Sequence, residues 1–487
     1  MFAMQNSVRK YCWTTSIALL CSVAAIAAEG KSGGAVEKST SLANPGYADL
    51  IQPLPTTADQ QQRDNFAIFT DALANESYSE AEIAAKQMVE LANADAGDAV
   101  DEPSARARAL HNLAVVQQFR GSPESALQNY SAALGIITGS ADNLSPSLIA
   151  PLRGLAFAYL DLGQSDEAFQ SFERALHVSN VNYGPHSLNQ LPILNSTLQA
   201  HLDQRDPKSA LDLLARIHLL YTRKYPRNSE ELLPLYRREA ALYGRLKMHR
   251  DALNAWRHVL IIQQKHHEKN DLALVEPHIR IAEIGIRELR TDAYRSVTTS
   301  SAERHLKKAL RIAENSPEDN WEVKKDCMLS LADFYTLFDM KGRARRYYSA
   351  AWELMSSDEN YRLARAADLE TPVPLAQRAP YPYANFEYNP NRDKIDPKEY
   401  VEGEIVMAFT INEYGRTENH RLVAADPANF PPMERRVRNS VEEFIYRPRH
   451  VDGRAAVTRD QQYRARYYYL PSEYQVSIEK SAKRGRR

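Results

Sequence analysis

The chain has 487 residues, 44% of them hydrophobic and 25% charged, which is globular composition with ample material for a core. A formal net charge of −1 excludes a global field that would draw it to nucleic acid or to a membrane surface, and no nucleic-acid partner is expected. The balance hides a gradient: Ser41–Glu102 holds 12 acidic residues against 2 basic ones, whereas Pro431–Arg487 holds 7 against 14.

At the N-terminus, Arg9 and Lys10 precede the uncharged run Tyr11–Ala28, which ends with small residues at Ala25 and Ala27. A cationic start, a short apolar stretch and small closing residues read as a secretory signal over residues 1–28. The run is also 18 residues long, the lower edge of a membrane span, so an uncleaved anchor over residues 11–28 is the alternative. The hydroxyls of Thr14, Thr15 and Ser16 weigh against it. Residues 29–58 read as a disordered linker. Of the three cysteines, Cys12 and Cys21 fall in the signal, so cleavage leaves Cys327 alone and forbids an internal disulfide.

The chain then repeats itself. "LAVVQQFRGSPESALQNYSAAL" (Leu113–Leu134) aligns without gaps on "LAFAYLDLGQSDEAFQSFERAL" (Leu155–Leu176). Ala114, Gly121, Ala126, Tyr130 and Ala133 fall on Ala156, Gly163, Ala168, Phe172 and Ala175, a period of 42 residues. The same step reaches Ala210 and Ala252; Ala302 and Ala344 are again 42 apart, and a weaker unit surrounds Ala81. Small residues at fixed places let two antiparallel helices approach closely, and the aromatic three or four residues later fills the space beside them. Each helix pair leaves an apolar face for the next pair to cover, so seven units across Asp59–Asp358 predict a solenoid over 59–369. The order helix-A Ala, Gly, helix-B Ala, large residue, Ala resembles the tetratricopeptide repeat. That family's period is about 34 residues, so a step of 42 implies longer helices or loops, and Leu198 stands where a small residue is expected. The resemblance implies a scaffold that binds a protein partner in the periplasm, of unknown identity.

No chemistry of catalysis or metal binding stands out. "AIAAEGKS" (Ala25–Ser32) meets the loosest form of a phosphate loop but follows no strand and overlaps the signal. His258, His266, His267 and Glu268 lie on a polar helix end without zinc spacing, and no G-x-S-x-G elbow is present. No catalytic residue, cofactor or metal is expected, and the chain does not read as an enzyme.

From Glu370 to Pro397 six prolines, Pro372 and Pro374 first among them, break the helical pattern. Residues 370–376 read as a Pro-containing linker. "GEIVMAFTI" (Gly403–Ile411) alternates as a half-buried strand, Tyr414-Gly415 turns, and His420–Asp426 closes a hairpin. Pro431-Pro432 opens a helix that carries Met433, Val437, Val441 and Phe444 on one face, and Tyr446-Arg447-Pro448 stops it. Tyr463, Ala465, Tyr467 and Tyr469 alternate with Gln462, Arg464, Arg466 and Tyr468 in a third strand. The fold class is therefore mostly α: a repeat solenoid followed by a small α+β domain of order β-β-α-β. The basic end 471–487, with "KSAKRGRR", reads as a disordered tail.

That order, with Pro380-Tyr381-Pro382, Glu402-Gly403, Gly415, Asn419 and Tyr446-Arg447-Pro448, resembles the C-terminal domain of TonB over Gln377–Leu470. The resemblance implies that the third strand pairs along its open edge with an extended peptide of a TonB-dependent outer-membrane transporter. Tyr463, Arg464, Arg466, Tyr467 and Tyr469 would form that edge, with Gln377, Pro380 and Tyr381 near the contact. The alternative is that the tyrosines cover the helix while the arginines guard the edge. TonB carries an N-terminal membrane helix with a functional His and a long Pro-rich spacer; residues 1–28 contain no His, and a solenoid stands in place of the spacer. The expectation is an exported periplasmic adaptor. The rival is an energy transducer anchored in the inner membrane and coupled to an ExbB-ExbD-type complex.

Overall fold

The computed structural model describes residues 50–54, 58–94, 102–140, 142–290, 299–318, 320–377, 401–472, 474–476 and 478. Residues 1–28, expected as a signal or an anchor, lie outside these residues, as do Pro380 and Tyr381. No helix among the described residues is long and apolar enough to cross a membrane. Two compact units are present, one within Gly34–His258 and the other within Val259–Arg487.

Helices follow one another in consecutive pairs: α1 (Gln60–Ala74) and α2 (Tyr78–Ala94), α3 (Glu102–Phe119) and α4 (Pro123–Ser140), α5 (Ile149–Asp161) and α6 (Ser165–Tyr183). Next come α7 (Leu191–Asp203) and α8 (Pro207–Lys224), then α9 (Leu233–Arg245) and α10 (His249–His266). The later pairs are α11 (Val275–Arg290) with α12 (Thr299–Asn315) and α13 (Trp321–Leu337) with α14 (Lys341–Ser356), before the short α15 (Arg362–Leu369). The repeating alanines are where close packing requires them. Ala81, Ala126, Ala168, Ala210, Ala252, Ala302 and Ala344 are all buried, as are Tyr130, Phe172 and Tyr348 four residues after three of them.

Six of the turns within pairs share one device. Glu76, Gly121, Gly163, Arg205, Lys247 and Asp339 have φ between 57° and 75°, the left-handed conformation that ends a helix. The amide of the following residue reaches back five positions, as in Ser122 N to Gln117 O at 2.9 Å and Met248 N to Tyr243 O at 2.8 Å. Only two of these positions are glycine, which is why the turn is visible as a motif in just two repeats. The long period has a local explanation too. Ser145, Ser187, Ser229 and Asp271 recur 42 residues apart, each opening a 3-10 turn that leads into the next pair. Three of them accept a hydrogen bond from the amide two residues on. These turns, with second helices of 18 or 19 residues, account for the step beyond 34.

The sheet domain contains β1 (Val373–Ala376), β2 (Val401–Ile411), β3 (Thr417–Asp426), α16 (Pro431–Glu442), β4 (Ile445–Arg447), β5 (Arg449–Val451), β6 (Arg454–Ala456) and β7 (Thr458–Tyr469). The main sheet is antiparallel in the order β3-β2-β7. Met433, Val437 and Val441 of α16 close its core over Ile405, Met407, Phe409 and Ile411.

Three expected segments differ. The linker at 370–376 holds β1, which pairs antiparallel with β4, Val373 opposite Arg447 and Pro374 opposite Tyr446. Pro374 fixes an extended φ and, among the described residues, β1 pairs on one side only, so its missing amide is tolerated there. Tyr446-Arg447 therefore forms a strand and not merely a helix stop. Part of the linker at 29–58 is also ordered: Leu50 is fully buried, and Gln52 is hydrogen bonded to Asn112. Within the predicted tail, the Tyr474 ring packs on Phe430 and Tyr469, and its hydroxyl donates to Ala428 O at 2.7 Å, so the sheet domain continues past Leu470.

Within the unit Val259–Arg487, the last helices and the sheet domain share one contact system. Arg447 grips both carboxylate oxygens of Asp333 on α13 at 2.9 and 2.7 Å, and donates a third hydrogen bond to Asp368 O at 2.9 Å. The Tyr348 hydroxyl of α14 donates to the same Asp333 carboxylate at 2.8 Å. Burial alone would favour the neutral guanidine, but the Asp333 charge and its hydrogen bonds win and hold Arg447 protonated beyond its ordinary range. His450 packs its ring 5.0 Å from that of Tyr348, and Lys341 lies 4.3 Å above the Tyr414 ring.

Candidate functional site: an open strand edge

Backbone geometry makes β7 the candidate. From Gln461 to Tyr469 its pairing with β2 runs without interruption, Phe409 opposite Gln461 and Val401 opposite Tyr469. Among the described residues no strand pairs with its other side. β3, the opposite edge, is less regular: its register with β2 shifts twice, and Asn419 has a φ of 55°. Bulges of that kind blunt an edge against further pairing.

The predicted side chains divide by face. Ala465, Tyr467 and Tyr469 are buried and Tyr463 is half-buried, all in the core beneath α16. Tyr463 meets Phe444 edge to face at 4.9 Å, and Tyr469 meets Phe430 at 5.7 Å. Tyr467 lies over Gly403, where a Cβ would come within 2.8 Å of its ring. Burial pushes the phenols of Tyr463, Tyr467 and Tyr469 up, so they stay neutral. For the tyrosines their burial fits the alternative reading, in which they cover the helix: alternation turns them toward α16, and they hold the edge strand in place.

Arg464, Arg466 and Tyr468 are exposed on the other face. Arg464 reaches both carboxylate oxygens of Glu404 on β2 at 2.9 and 3.0 Å, and Arg466 approaches the same carboxylate at 3.9 Å. Glu402, exposed and opposite Tyr468, lies on the same face, so two carboxylates stand beside the two guanidiniums and balance their charge; exposed pairs of this kind are worth about 0–1 kcal/mol. Gln377, placed by the resemblance near the edge, instead donates to the Tyr446 hydroxyl at 2.8 Å, just past the end of β1. Glu404 and Tyr468 were not singled out in the sequence; the strand register alone puts them beside Arg464 and Arg466.

Within the unit Gly34–His258, polar side chains, several of them buried, join the repeat helices. Gln118 donates to Asp161 at 3.3 Å and Arg153 to Ser196 at 3.1 Å, each about one period along the chain, and Arg238 donates to Asn195. First helices of successive pairs are therefore linked by polar side chains. Among the described residues no group of three or more His, Cys, Asp or Glu side chains is arranged to hold a metal ion.

Residues 147–223 match the tetratricopeptide repeat family, so repeats of this type are present from the turn before α5 to the end of α8. No curated protein matches the chain in sequence. Among solved structures, the chain is similar to BtubC (BKLC) from P. vanneervenii, at 21% identity over 50% of this chain and 94% of that one, with a TM-score of 0.38. It is similar to a putative kinesin light chain with nearly identical TPR-like repeats from Podosopora anserina, at 19% identity over 44% and 99%, TM-score 0.35. The apo form of RapI is similar at 12% identity over 63% and 81%, TM-score 0.41.

Proposed function

We propose that this protein is an exported, non-enzymatic adaptor of the bacterial cell envelope that binds proteins through its repeat helices and along the open edge of β7. One observation carries the reading. Among the described residues, Gln461–Tyr469 is an uninterrupted strand paired on one side, its own register shift falling before Gln461, while the register of the opposite edge shifts twice. The peptide groups on the unpaired side of such a strand accept an extended partner segment as the next strand. Arg464, Arg466 and Tyr468 would then meet the side chains of that segment on the exposed face. Resemblance of the sheet domain to that of TonB narrows the partner to an extended peptide of a TonB-dependent outer-membrane transporter, met in the periplasm. The repeats match a family whose stacked helices present side chains to a protein partner.

The grip of Arg447 on Asp333 and the strand β1 in place of a linker favour an adaptor over a far-reaching, ExbB-ExbD-coupled transducer. The test places a photoreactive residue at Arg466 of β7, and in a second strain at Val423 of β3, in the full chain in its own cells. Crosslinks from position 466 to a periplasmic segment of an outer-membrane transporter, without the same crosslink from 423, are expected. Equal crosslinking from both edges, or none from 466, refutes the proposal. Sequencing the mature N-terminus separates the two forms: a start near Ala28 or Glu29 fits the adaptor, and an intact Met1 in membranes fits the anchored transducer.

A further inference from the structure

Residues 50–54, ahead of the first helix, are held on the repeats like a bound peptide. The Asn112 side chain of α3 accepts the Gln52 amide at 2.8 Å and donates to the Gln52 carbonyl at 2.9 Å. N–H and C=O of one residue point the same way only in extended backbone, so this amide reads an extended chain as a neighbouring strand would. His111, the adjacent residue, contacts Leu50 O through Nε2 at 2.7 Å. A carbonyl only accepts, so Nε2 carries the proton and donates. Three hydrogen bonds to strap backbone thus come from two consecutive side chains that are 0% and 1% exposed.

The apolar side chains of the strap supply the rest. Leu50 is fully buried in the cluster that includes Ala107, Ala114 and Tyr130. Ile51 touches both that cluster and the one around Phe69 and Met88, and Leu54 packs on the latter. A crevice of only about 30 Å³ remains between the strap and Met88, Ala92 and Ala109. Without an extended chain in place, His111 and Asn112 would be left buried without these partners, at a cost of about 1–3 kcal/mol each. Their polar atoms contact backbone alone; the side-chain preference comes from the Leu50 pocket.

We infer that this face of α3 is a recognition groove for an extended, uncharged segment bearing a leucine two residues before the clamped one. The chain's own Leu50–Leu54 fills it in cis, and a partner segment of that chemistry enters by displacing the strap. This inference is independent of the β7 edge.

The probe is a fluorescein-labelled synthetic peptide of sequence YADLIQPLP, spanning Tyr47–Pro55, titrated against the full chain. Combining Leu50→Ser with Ile51→Ser loosens the strap, and this variant should bind the peptide at least tenfold more tightly than the unaltered chain. Adding Asn112→Ala should weaken that binding at least tenfold, as should serine in place of leucine at the anchor position of the peptide. Equal affinity for the unaltered and strap-loosened chains, no saturable binding to a folded strap variant, or indifference to Asn112→Ala overturns the inference. Should the strap variant fail to fold, excess peptide added to the unaltered chain should speed hydrogen exchange at the Gln52 amide at least tenfold; unchanged exchange overturns it equally.

Discussion

The repeat helices and the sheet domain reach a packed core by different routes. In the repeats the same contact is made again and again: an alanine at a fixed place, a large residue four positions on, a left-handed turn, a cap 42 residues from the last. Partners lie in the same or the next unit, so loss of one contact removes one local term while its copies in the other units remain. In the sheet domain each contact is made once. Arg447 and Asp333 are 114 positions apart, and their largely buried ion pair joins the sheet domain to α13. The lesson is that fragility concentrates where the fold has no internal copy.

The largest expected effect tests that contrast. Arg447→Ala leaves Asp333 and Tyr348 without their buried cation and should destabilise the unit Val259–Arg487 by about 3–5 kcal/mol in urea unfolding. Arg447→Met combined with Asp333→Leu should recover most of it. A loss below about 1 kcal/mol for the single variant would falsify the view that the two elements depend on this pair.

Acid comes next. Burial holds His111 and His450 at about 4 and His278 at about 3, against 6.5 for the free side chain. A histidine whose folded pKa is depressed supports the fold above its unfolded value and withdraws that support as pH falls. Each should therefore cost roughly 2–3 kcal/mol by pH 4.5. The unit Val259–Arg487 contains two of the three and should lose stability more steeply. His278→Gln should flatten its slope between pH 6.5 and 4.5, and an unchanged slope removes His278 as a cause.

Inside the repeats, Gly154→Ala would bring a Cβ to 2.3 Å from the ring of Tyr130, whose hydroxyl is fixed on Gln118. Overpacking there should cost about 1–3 kcal/mol. Gly135→Ala, with nothing within 4 Å, should instead raise the melting temperature slightly, since alanine favours helix by up to about 1 kcal/mol. Equal effects at the two sites would remove close packing as the reason for glycine at 154. The smallest change is expected at a turn: Arg205→Gly relieves a left-handed non-glycine residue and should stabilise by up to about 1 kcal/mol in thermal unfolding.

Legibility followed the same division. Ala126, Tyr130 and Ala133 could be matched to Ala168, Phe172 and Ala175 because a repeat writes its packing rule more than once. The strands at 401–411 and 458–469 were legible because one buried face imposes a period of two. The candidate edge was legible as a strand but not in its roles: alternation alone does not say which face is covered, and α16 decides that Tyr463, Tyr467 and Tyr469 point inward. β1, the Arg447 ion pair and the strap at 50–54 carry no local signal, because the partner of each lies at least 60 residues away.

Taken alone, the amino-acid order determined the repeat period, the helical hairpins and the ββαβ succession, since each follows from which positions along a segment are small, apolar or turn-forming. Only the tertiary structure decided which of the two sheet edges is the more regular, what Arg447 neutralises and where residues 50–54 lie. Those outcomes depend on burial and charge pairing between distant segments, whose energies arise only when the folded chain brings the groups together and excludes water from between them.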